Sequence, residues 1–129
     1  EVEFAGHVVD LSAVTNDIFM VAGVTDHITP WKACYRTTQL VGSPNIEFIL
    51  SHSGHIQALL NPPGNPKAKY YRNPAKPPET TDAWMEGAVE EAGSCIPMAA
   101  SRRQPPRRWG RPPIRRSGLH RAFTVLMID

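Results

Sequence analysis

Two apolar runs in the first half of the chain flank a segment whose apolar positions recur at helical spacing. Residues 17–23 and 47–51 are nearly free of charge, which is typical of parallel strands buried on both faces. Between them, residues 31–40 repeat apolar side chains every three or four positions, which predicts a helix. This order predicts a βαβ unit with parallel strands and a right-handed crossover.

The residues next to these elements favour particular boundaries. Thr29 is the expected N-cap of the helix, and Pro30 is its expected first residue. Residues 56–60 predict at most a short helical turn. Residues 61–78 contain six prolines, so we expect an extended and irregular stretch.

The second half of the chain offers fewer periodic segments. Residues 83–92 predict a helix that Thr81 or Asp82 caps and Gly93 ends. Residues 123–128 form an isolated apolar hexamer without charge, which is a strand candidate prone to aggregation.

Length and composition limit the function classes. A chain of 129 residues is enough for one modest domain, and no apolar run is long enough to predict a membrane span. The start of the chain shows no secretory signal pattern. Cys34 and Cys95 lie far apart without metal-ligand spacing, so we expect free thiols in a reducing compartment.

The net charge of +2 hides two regions of opposite charge. Residues 1–101 hold 6 basic and 11 acidic side chains, whereas residues 102–129 hold 8 arginines and one aspartate. A basic segment of this kind is consistent with polyanion binding, in which the arginines neutralise phosphates and Trp109 stacks on a base. Solvated disorder is the alternative, because the many prolines oppose a packed scaffold. The arginines that the polyanion-binding interpretation uses are Arg102, Arg103, Arg107, Arg108, Arg111, Arg115 and Arg116.

Asp26 and His55 each follow one of the two predicted strands by a few residues. If those strands are adjacent and parallel, both loops open at the same edge of the sheet, where catalytic groups of α/β proteins gather. An acid followed 29 residues later by a histidine also suits the second half of an α/β-hydrolase triad. Two alternatives remain open: loop or capping roles for both residues, and a metal site built from His52 and His55 with His27 and Asp26.

Three sequence blocks carry more information than the spacing of Asp26 and His55 alone. They are AGVTDHITPW at residues 22–31, FILSHSGHIQ at residues 48–57 and NPPGNPKA at residues 61–68. In this order they resemble the C-terminal part of the poly(3-hydroxyalkanoate) synthases, which polymerise 3-hydroxyacyl-CoA into storage polyester. The resemblance covers roughly residues 8–94 and is highly specific.

The resemblance implies a partial α/β-hydrolase fold, with residues 1–94 as the C-terminal portion of a catalytic domain that uses a Cys–Asp–His triad. The acid matches Asp26, the general base matches His55, and His27 matches a histidine with a supporting role. In the family a cysteine thiolate attacks the acyl-CoA thioester, so acyl-CoA is a substrate and no cofactor or metal is expected. The family also implies a homodimer when complete, a cytoplasmic location at the polyester granule surface, and no membrane or nucleic-acid partner.

Two departures from the family pattern shape the functional expectation. The family's Gly-x-Cys-x-Gly turn is missing upstream of Asp26, Cys34 is expected to be a packing residue, and Cys95 has Pro97 where the turn needs glycine. We therefore expect a fragment that is inactive alone. Residues 95–129 replace a tryptophan-rich continuation with Arg and Pro, which indicates disorder or a shifted reading frame. A thioesterase or lipase fragment remains an alternative, because those enzymes use the same acid and histidine.

Overall fold

A computed structural model describes residues 2–95 and 124–126 of the chain. The described elements are β1 (Val2–Phe4), β2 (His7–Val9), a 3-10 turn (Leu11–Ala13), β3 (Ile18–Gly23), α1 (Trp31–Leu40), β4 (Ile46–Ser51), α2 (Gln57–Leu60), β5 (Lys69–Arg72), α3 (Thr81–Glu86), β6 (Val89–Ala92) and β7 (Thr124–Leu126). Strands β1 and β2 form an antiparallel hairpin, and the other five strands form one mixed sheet in the order β6-β5-β4-β3-β7. The chain is thus a mixed α/β structure, as the sequence pattern predicts.

The predicted βαβ unit is confirmed. Strands β3 and β4 pair in parallel along their whole length, from Ile18 opposite Ile46 to Gly23 opposite Ser51, and α1 connects them. The helix begins at Trp31, with Pro30 in the N-cap position and no side-chain cap. The predicted N-cap role of Thr29 is therefore wrong, because its hydroxyl bonds to Asp26 instead.

Residues 61–78 are not irregular throughout, which corrects the prediction from their proline content. Residues 69–72 form β5, which pairs antiparallel with β4 through Leu50 opposite Tyr71. The prolines lie on both sides of this stretch and not within it, so every residue of β5 retains a backbone N–H for the ladder. A proline-rich region can thus hold a short strand between its prolines.

The helix predicted over residues 83–92 is also wrong in extent. Helix α3 covers Thr81–Glu86, Thr80 caps it by accepting a bond from the Ala83 backbone N–H at 3.2 Å, and Gly87 follows its last residue. The remaining residues form β6, which pairs antiparallel with β5. Cross-strand bonds from β5 side chains to Glu90 and Glu91 stabilise the strand, and no periodicity along the chain reveals them.

The C-terminal hexamer is not isolated. Its residues Thr124–Leu126 form β7, which pairs in parallel with the first half of β3. The predictions for the basic segment, namely polyanion binding, disorder and a shifted reading frame, concern residues that lie mostly outside the described part of the chain.

The central strands are buried on both faces, as their apolar sequence predicts. Side chains alternate between the faces of a strand, so each of these strands contributes to two clusters. The first cluster, against α1 and α3, contains Ile18, Met20, Ala22, Cys34, Tyr35, Phe48, Leu50 and Trp84. The second contains Phe19, Ile49, Tyr70 and Cys95.

An aromatic group fixes α1 and α3 against the sheet. Tyr35 and Trp84 both meet the ring of Phe48 edge to face, with centroids 5.1 and 5.2 Å away. The Tyr35 hydroxyl also donates to the Pro78 carbonyl at 2.5 Å. This packing fixes the helix that follows the Asp26 loop against the sheet.

Among the described residues, no helix combines the length and the apolar character that crossing a membrane requires.

Candidate active site

The loops after β3 and β4 lie against each other because their backbones continue to pair beyond the strands. The Val24 N–H donates to the Ser51 carbonyl at 2.8 Å, and the Thr25 N–H donates to the Ser53 carbonyl at 3.4 Å. A Cβ added at Gly23 would lie 2.4 Å from the Ser53 carbonyl oxygen, so only glycine fits there. At Gly54 an added Cβ would make only an ordinary contact, 3.6 Å from Thr25, so the close approach occurs at Gly23.

The Asp26 carboxylate lies in the first of these loops and accepts bonds on both oxygens. Oδ1 accepts from the backbone N–H groups of Ile28 at 2.9 Å and Thr29 at 3.0 Å. Oδ2 accepts from the Thr29 hydroxyl at 2.7 Å. An aspartate that binds backbone N–H groups two and three residues later forms a local turn, which fixes the carboxylate relative to its own loop.

His55 brings the second loop to the same carboxylate. Its Nδ1 lies 2.7 Å from Asp26 Oδ2, which is the distance of a strong charge-assisted hydrogen bond. The Asp26 side chain is 5 % exposed and the His55 side chain 28 % exposed. The predicted convergence of the two side chains is confirmed, while their catalytic roles remain predictions.

Hydrogen bonds keep the Asp26 carboxylate ionised. Burial raises the pKa of this group, but the bonds from the Thr29 backbone and hydroxyl, from His55 and from the Ile28 N–H together outweigh burial. The pKa of Asp26 therefore lies well below its usual range. A carboxylate that stays ionised near neutral pH can stabilise a positive charge that forms on His55.

The arrangement is that of an oriented base. A carboxylate that accepts from Nδ1–H fixes the tautomer of the imidazole and makes Nε2 the nitrogen that exchanges protons with substrate. The pair can thus activate a thiol or hydroxyl and then return the proton to a leaving group. A cavity of about 380 Å³ lies away from this pair, at the amino ends of β3 and β4.

The other candidate ligands are not brought to this pair. The His27 side chain is exposed, and no hydrogen bond or ion pair found in the described residues joins it to Asp26 or His55. His52 faces Glu90, with its Nε2 3.3 Å from Oε2. The part of the chain that the structure describes holds no group of three or more His, Cys, Asp or Glu suited to a metal ion. The alternative metal site is therefore not assembled here.

Both cysteines are free thiols and both are buried. Cys34 belongs to the core between α1 and the sheet, which confirms its prediction as a packing residue. Burial and the negative charge of Asp26 raise the pKa of the Cys34 thiol. Burial likewise raises the pKa of Cys95, whose Sγ lies 3.5 Å from the Ala58 carbonyl oxygen. Neither environment favours a reactive thiolate.

Sequence reasoning missed Thr29 as part of the site. Its position before Pro30 predicts a helix N-cap, and this prediction does not include the hydrogen bond from its hydroxyl to Asp26. The available signal was an aspartate followed by threonine three positions later in a loop, which is the spacing of a local side-chain turn.

Comparison with known proteins identifies the chain's relatives, although no protein-family model matches it. The chain is 50 % identical over 92 residues to poly(3-hydroxyalkanoate) polymerase 1 of Ectopseudomonas oleovorans, covering 71 % of this chain and 16 % of that protein. It is 48 % identical over 96 residues to polymerase 2 of the same organism, covering 74 % and 17 %. It is 37 % identical over 89 residues to poly(3-hydroxyalkanoate) polymerase subunit PhaC of Cupriavidus necator, covering 69 % and 15 %.

These matches cover most of the chain but only about a sixth of each relative. Identities of 37–50 % over about 90 residues are far above what unrelated sequences share. The chain therefore carries a segment that belongs to the poly(3-hydroxyalkanoate) polymerase family.

Proposed function

We propose that residues 1–94 form the C-terminal portion of the α/β-hydrolase catalytic domain of a polyhydroxyalkanoate synthase. This enzyme is an acyltransferase that polymerises 3-hydroxyacyl-CoA into polyester and releases CoA. The observation that carries the proposal is the 2.7 Å contact between Asp26 and His55 at the carboxyl ends of adjacent parallel strands. The names of the relatives supply the acyl-transfer chemistry.

In the proposed reaction His55 acts as general base and Asp26 as the acid that orients it. His55 Nε2 takes the proton of a cysteine thiol, and the thiolate attacks the carbonyl carbon of the acyl-CoA thioester. Asp26 stabilises the imidazolium, which then protonates the departing CoA thiolate. The 3-hydroxyl of the growing chain, which Asp26 helps to activate, then attacks the carbonyl carbon of the acyl–cysteine thioester. His55 takes the hydroxyl proton and passes it to the departing cysteine thiolate, which restores the thiol.

The attacking thiol in this proposal is neither Cys34 nor Cys95. Both are buried, and burial raises the pKa of each thiol, whereas a nucleophilic cysteine needs a stabilised thiolate. The thiol comes instead from the part of the family sequence that this chain does not match. We therefore propose that the 129-residue chain is inactive by itself.

Several properties of the complete enzyme follow from the same proposal. Its partners are 3-hydroxyacyl-CoA and the growing polyester, and it uses no metal or organic cofactor. It forms a homodimer and works in the cytoplasm at the surface of polyester granules. His27 supports the reaction beside the acid without joining the triad.

A chimera tests the proposal. The matching segment of polymerase 1 of Ectopseudomonas oleovorans is replaced by the corresponding part of this chain, and CoA release and polymer formation from 3-hydroxyacyl-CoA are measured. We expect both activities in the chimera. Replacing His55→Ala should lower CoA release by roughly 10³-fold or more, because the base of a triad is lost.

The products separate the two enzyme classes. CoA release without polymer would assign the segment to a thioesterase or lipase and would overturn the synthase proposal. Near-normal polymer formation in the His55→Ala chimera would remove His55 from the role of base. Activity in the unfused chain would contradict the proposed need for an external thiol.

A further inference from the structure

We propose that Thr29 is a positioning residue, whose hydroxyl and backbone N–H together hold the Asp26 carboxylate in the orientation that His55 requires. This inference rests on the proposed function, because it assigns a role within the same acid–base pair. It concerns a residue that sequence pattern placed at a helix cap and that the structure places beside both members of the pair.

Thr29 contacts both oxygens of the carboxylate. Its backbone N–H donates to Asp26 Oδ1 at 3.0 Å, and its hydroxyl donates to Oδ2 at 2.7 Å. Two donors from one residue fix the plane of a carboxylate, because rotation about its Cβ–Cγ bond would break both bonds. The second bond goes to Oδ2, which is also the oxygen that faces His55 Nδ1.

The hydroxyl also favours one tautomer of His55. Thr29 Oγ1 lies 3.3 Å from His55 Nδ1, and its proton is directed to the carboxylate. Nδ1 therefore faces two oxygens that can only accept, namely Asp26 Oδ2 and Thr29 Oγ1. A proton on Nδ1 satisfies both oxygens, whereas a bare Nδ1 would place lone pairs against lone pairs. The hydroxyl thereby helps to leave Nε2 as the basic nitrogen.

The fold holds Thr29 itself in place. It directly precedes Pro30, which is the N-cap residue of α1. Its carbonyl oxygen lies 3.7 Å from the Sγ of Cys34 in the first turn of that helix. Cys34 is part of the main core cluster. The position of the hydroxyl is thus tied to the core through α1, while the Asp26 loop itself is half-exposed.

The first test compares three variants in the chimera described above. Thr29→Val removes the hydroxyl at nearly constant shape, Thr29→Ser retains it, and Thr25→Val is a matched control in the same loop. We expect Thr29→Val to lower kcat about tenfold with little change in KM, because a hydrogen bond to a charged group is lost from the reacting pair. Thr29→Ser should restore most of kcat, and Thr25→Val should match the parent.

The second test needs no catalysis. The titration of the Asp26 carboxyl carbon is followed by NMR in the 129-residue chain, with the Thr29→Val and Thr25→Val variants. In the part of the chain that the structure describes, the titratable groups facing this carboxylate are His55 and, from α1, Cys34. We expect Thr29→Val to raise the pKa of Asp26 toward its usual range, because the Thr29 hydroxyl bond lowers it, and Thr25→Val to leave it unchanged.

The outcomes distinguish this inference from the proposed function. A His55→Ala chimera that retains activity overturns the proposed function, whatever Thr29 does. If that chimera is inactive but Thr29→Val matches the parent in kcat, Thr29 is not a positioning residue. An unchanged Asp26 titration in Thr29→Val would overturn the inference independently of any activity.

Discussion

The loop that follows β4 carries His52 and His55, and each of these histidines faces a carboxylate. His55 Nδ1 lies 2.7 Å from Asp26 Oδ2, and His52 Nε2 lies 3.3 Å from Glu90 Oε2. The Asp26 side chain is 5 % exposed, whereas the Glu90 side chain is 40 % exposed. Two histidines within four positions of each other thus each contact a carboxylate, in different surroundings.

The partners of the two carboxylates explain the difference. Within the described residues, Asp26 accepts from groups of its own loop and from His55 and from no Lys or Arg, so its charge is directed at the imidazole. Glu90 also accepts from Lys69 at 2.7 Å, and that hydrogen bond is the main cause of its lowered pKa. His52 packs on the Tyr71 ring, with centroids 4.4 Å apart. A histidine–carboxylate contact therefore suits acid–base chemistry only where the carboxylate has no competing cation.

The largest effect should separate the two histidines in the chimera. We expect His55→Ala to lower CoA release by roughly 10³-fold or more, and His52→Ala to change it by less than about twofold. The reason is that only His55 is oriented through Nδ1 by a fixed carboxylate. Steady-state CoA release measures both variants under the same conditions.

Equal losses in the two variants would contradict the comparison. They would mean that the loop as a whole, and not the Asp26–His55 contact, supports activity. Circular dichroism of both variants serves as the control for folding.

A smaller effect should follow from Gly23→Ala, which pushes the two loops apart. The added Cβ would lie 2.4 Å from the Ser53 backbone carbonyl, so the strand ends must shift. We expect a loss of roughly 1–3 kcal/mol in the free energy of unfolding, as for other overpacked sites, together with a marked loss of CoA release.

Urea denaturation of the chimera and its CoA release measure the two consequences of Gly23→Ala. Gly54→Ala is the matched control, because its added Cβ would lie 3.6 Å from the nearest side-chain atom. Equal losses of stability and activity in both variants would show that the close approach at Gly23 does not assemble the pair.

The parallel strand pair and the Asp26–His55 contact could be predicted because their signals are local. Strands β3 and β4 are continuous apolar runs, and the rule that parallel strands end at one edge placed Asp26 and His55 together. Strands β5 and β6 could not be predicted, because they depend on cross-strand contacts such as that from Tyr70 to Glu91. Local pattern favoured a longer helix where β6 forms and an irregular stretch where β5 forms, and tertiary pairing outweighed both.

The role of Thr29 shows the same limit within the site. Threonine before proline at the start of a helix is a strong capping pattern, but in the structure the hydroxyl bonds to Asp26 and not to a backbone N–H of α1. The sequence therefore indicated the correct loop but not the hydrogen-bond partner of the Thr29 hydroxyl.

Stability against pH should distinguish the two carboxylates. The pKa of Asp26 is depressed in the folded chain, so its ionised form stabilises the fold above the unfolded carboxyl pKa of about 4 and this contribution is lost as the pH falls below that value. We expect Asp26→Asn to destabilise the chain at neutral pH. The gap, meaning the difference in free energy of unfolding between parent and variant, should close as the pH falls from about 5 to about 2. Glu90→Gln should show a smaller gap with the same sign, because the pKa of Glu90 is also lowered.

Urea denaturation of the two variants across this pH range measures the gaps. A gap for Asp26→Asn that stays constant with pH would mean that the carboxylate charge does not contribute to folding. A larger gap for Glu90→Gln than for Asp26→Asn would reverse the ranking of the two pairs.

The smallest effect should appear when salt is added. Lys69 and Glu90 are 51 % and 40 % exposed, so their attraction is screened once the Debye length becomes short. We expect the destabilisation by Glu90→Gln to disappear between about 0.05 M and 0.5 M NaCl, while that by Asp26→Asn persists. The Asp26 carboxylate is held by short hydrogen bonds within its loop, which added salt does not replace. Thermal melts of both variants at the two salt concentrations measure this, and a parallel decline of both effects would place Asp26 among the solvent-screened surface charges.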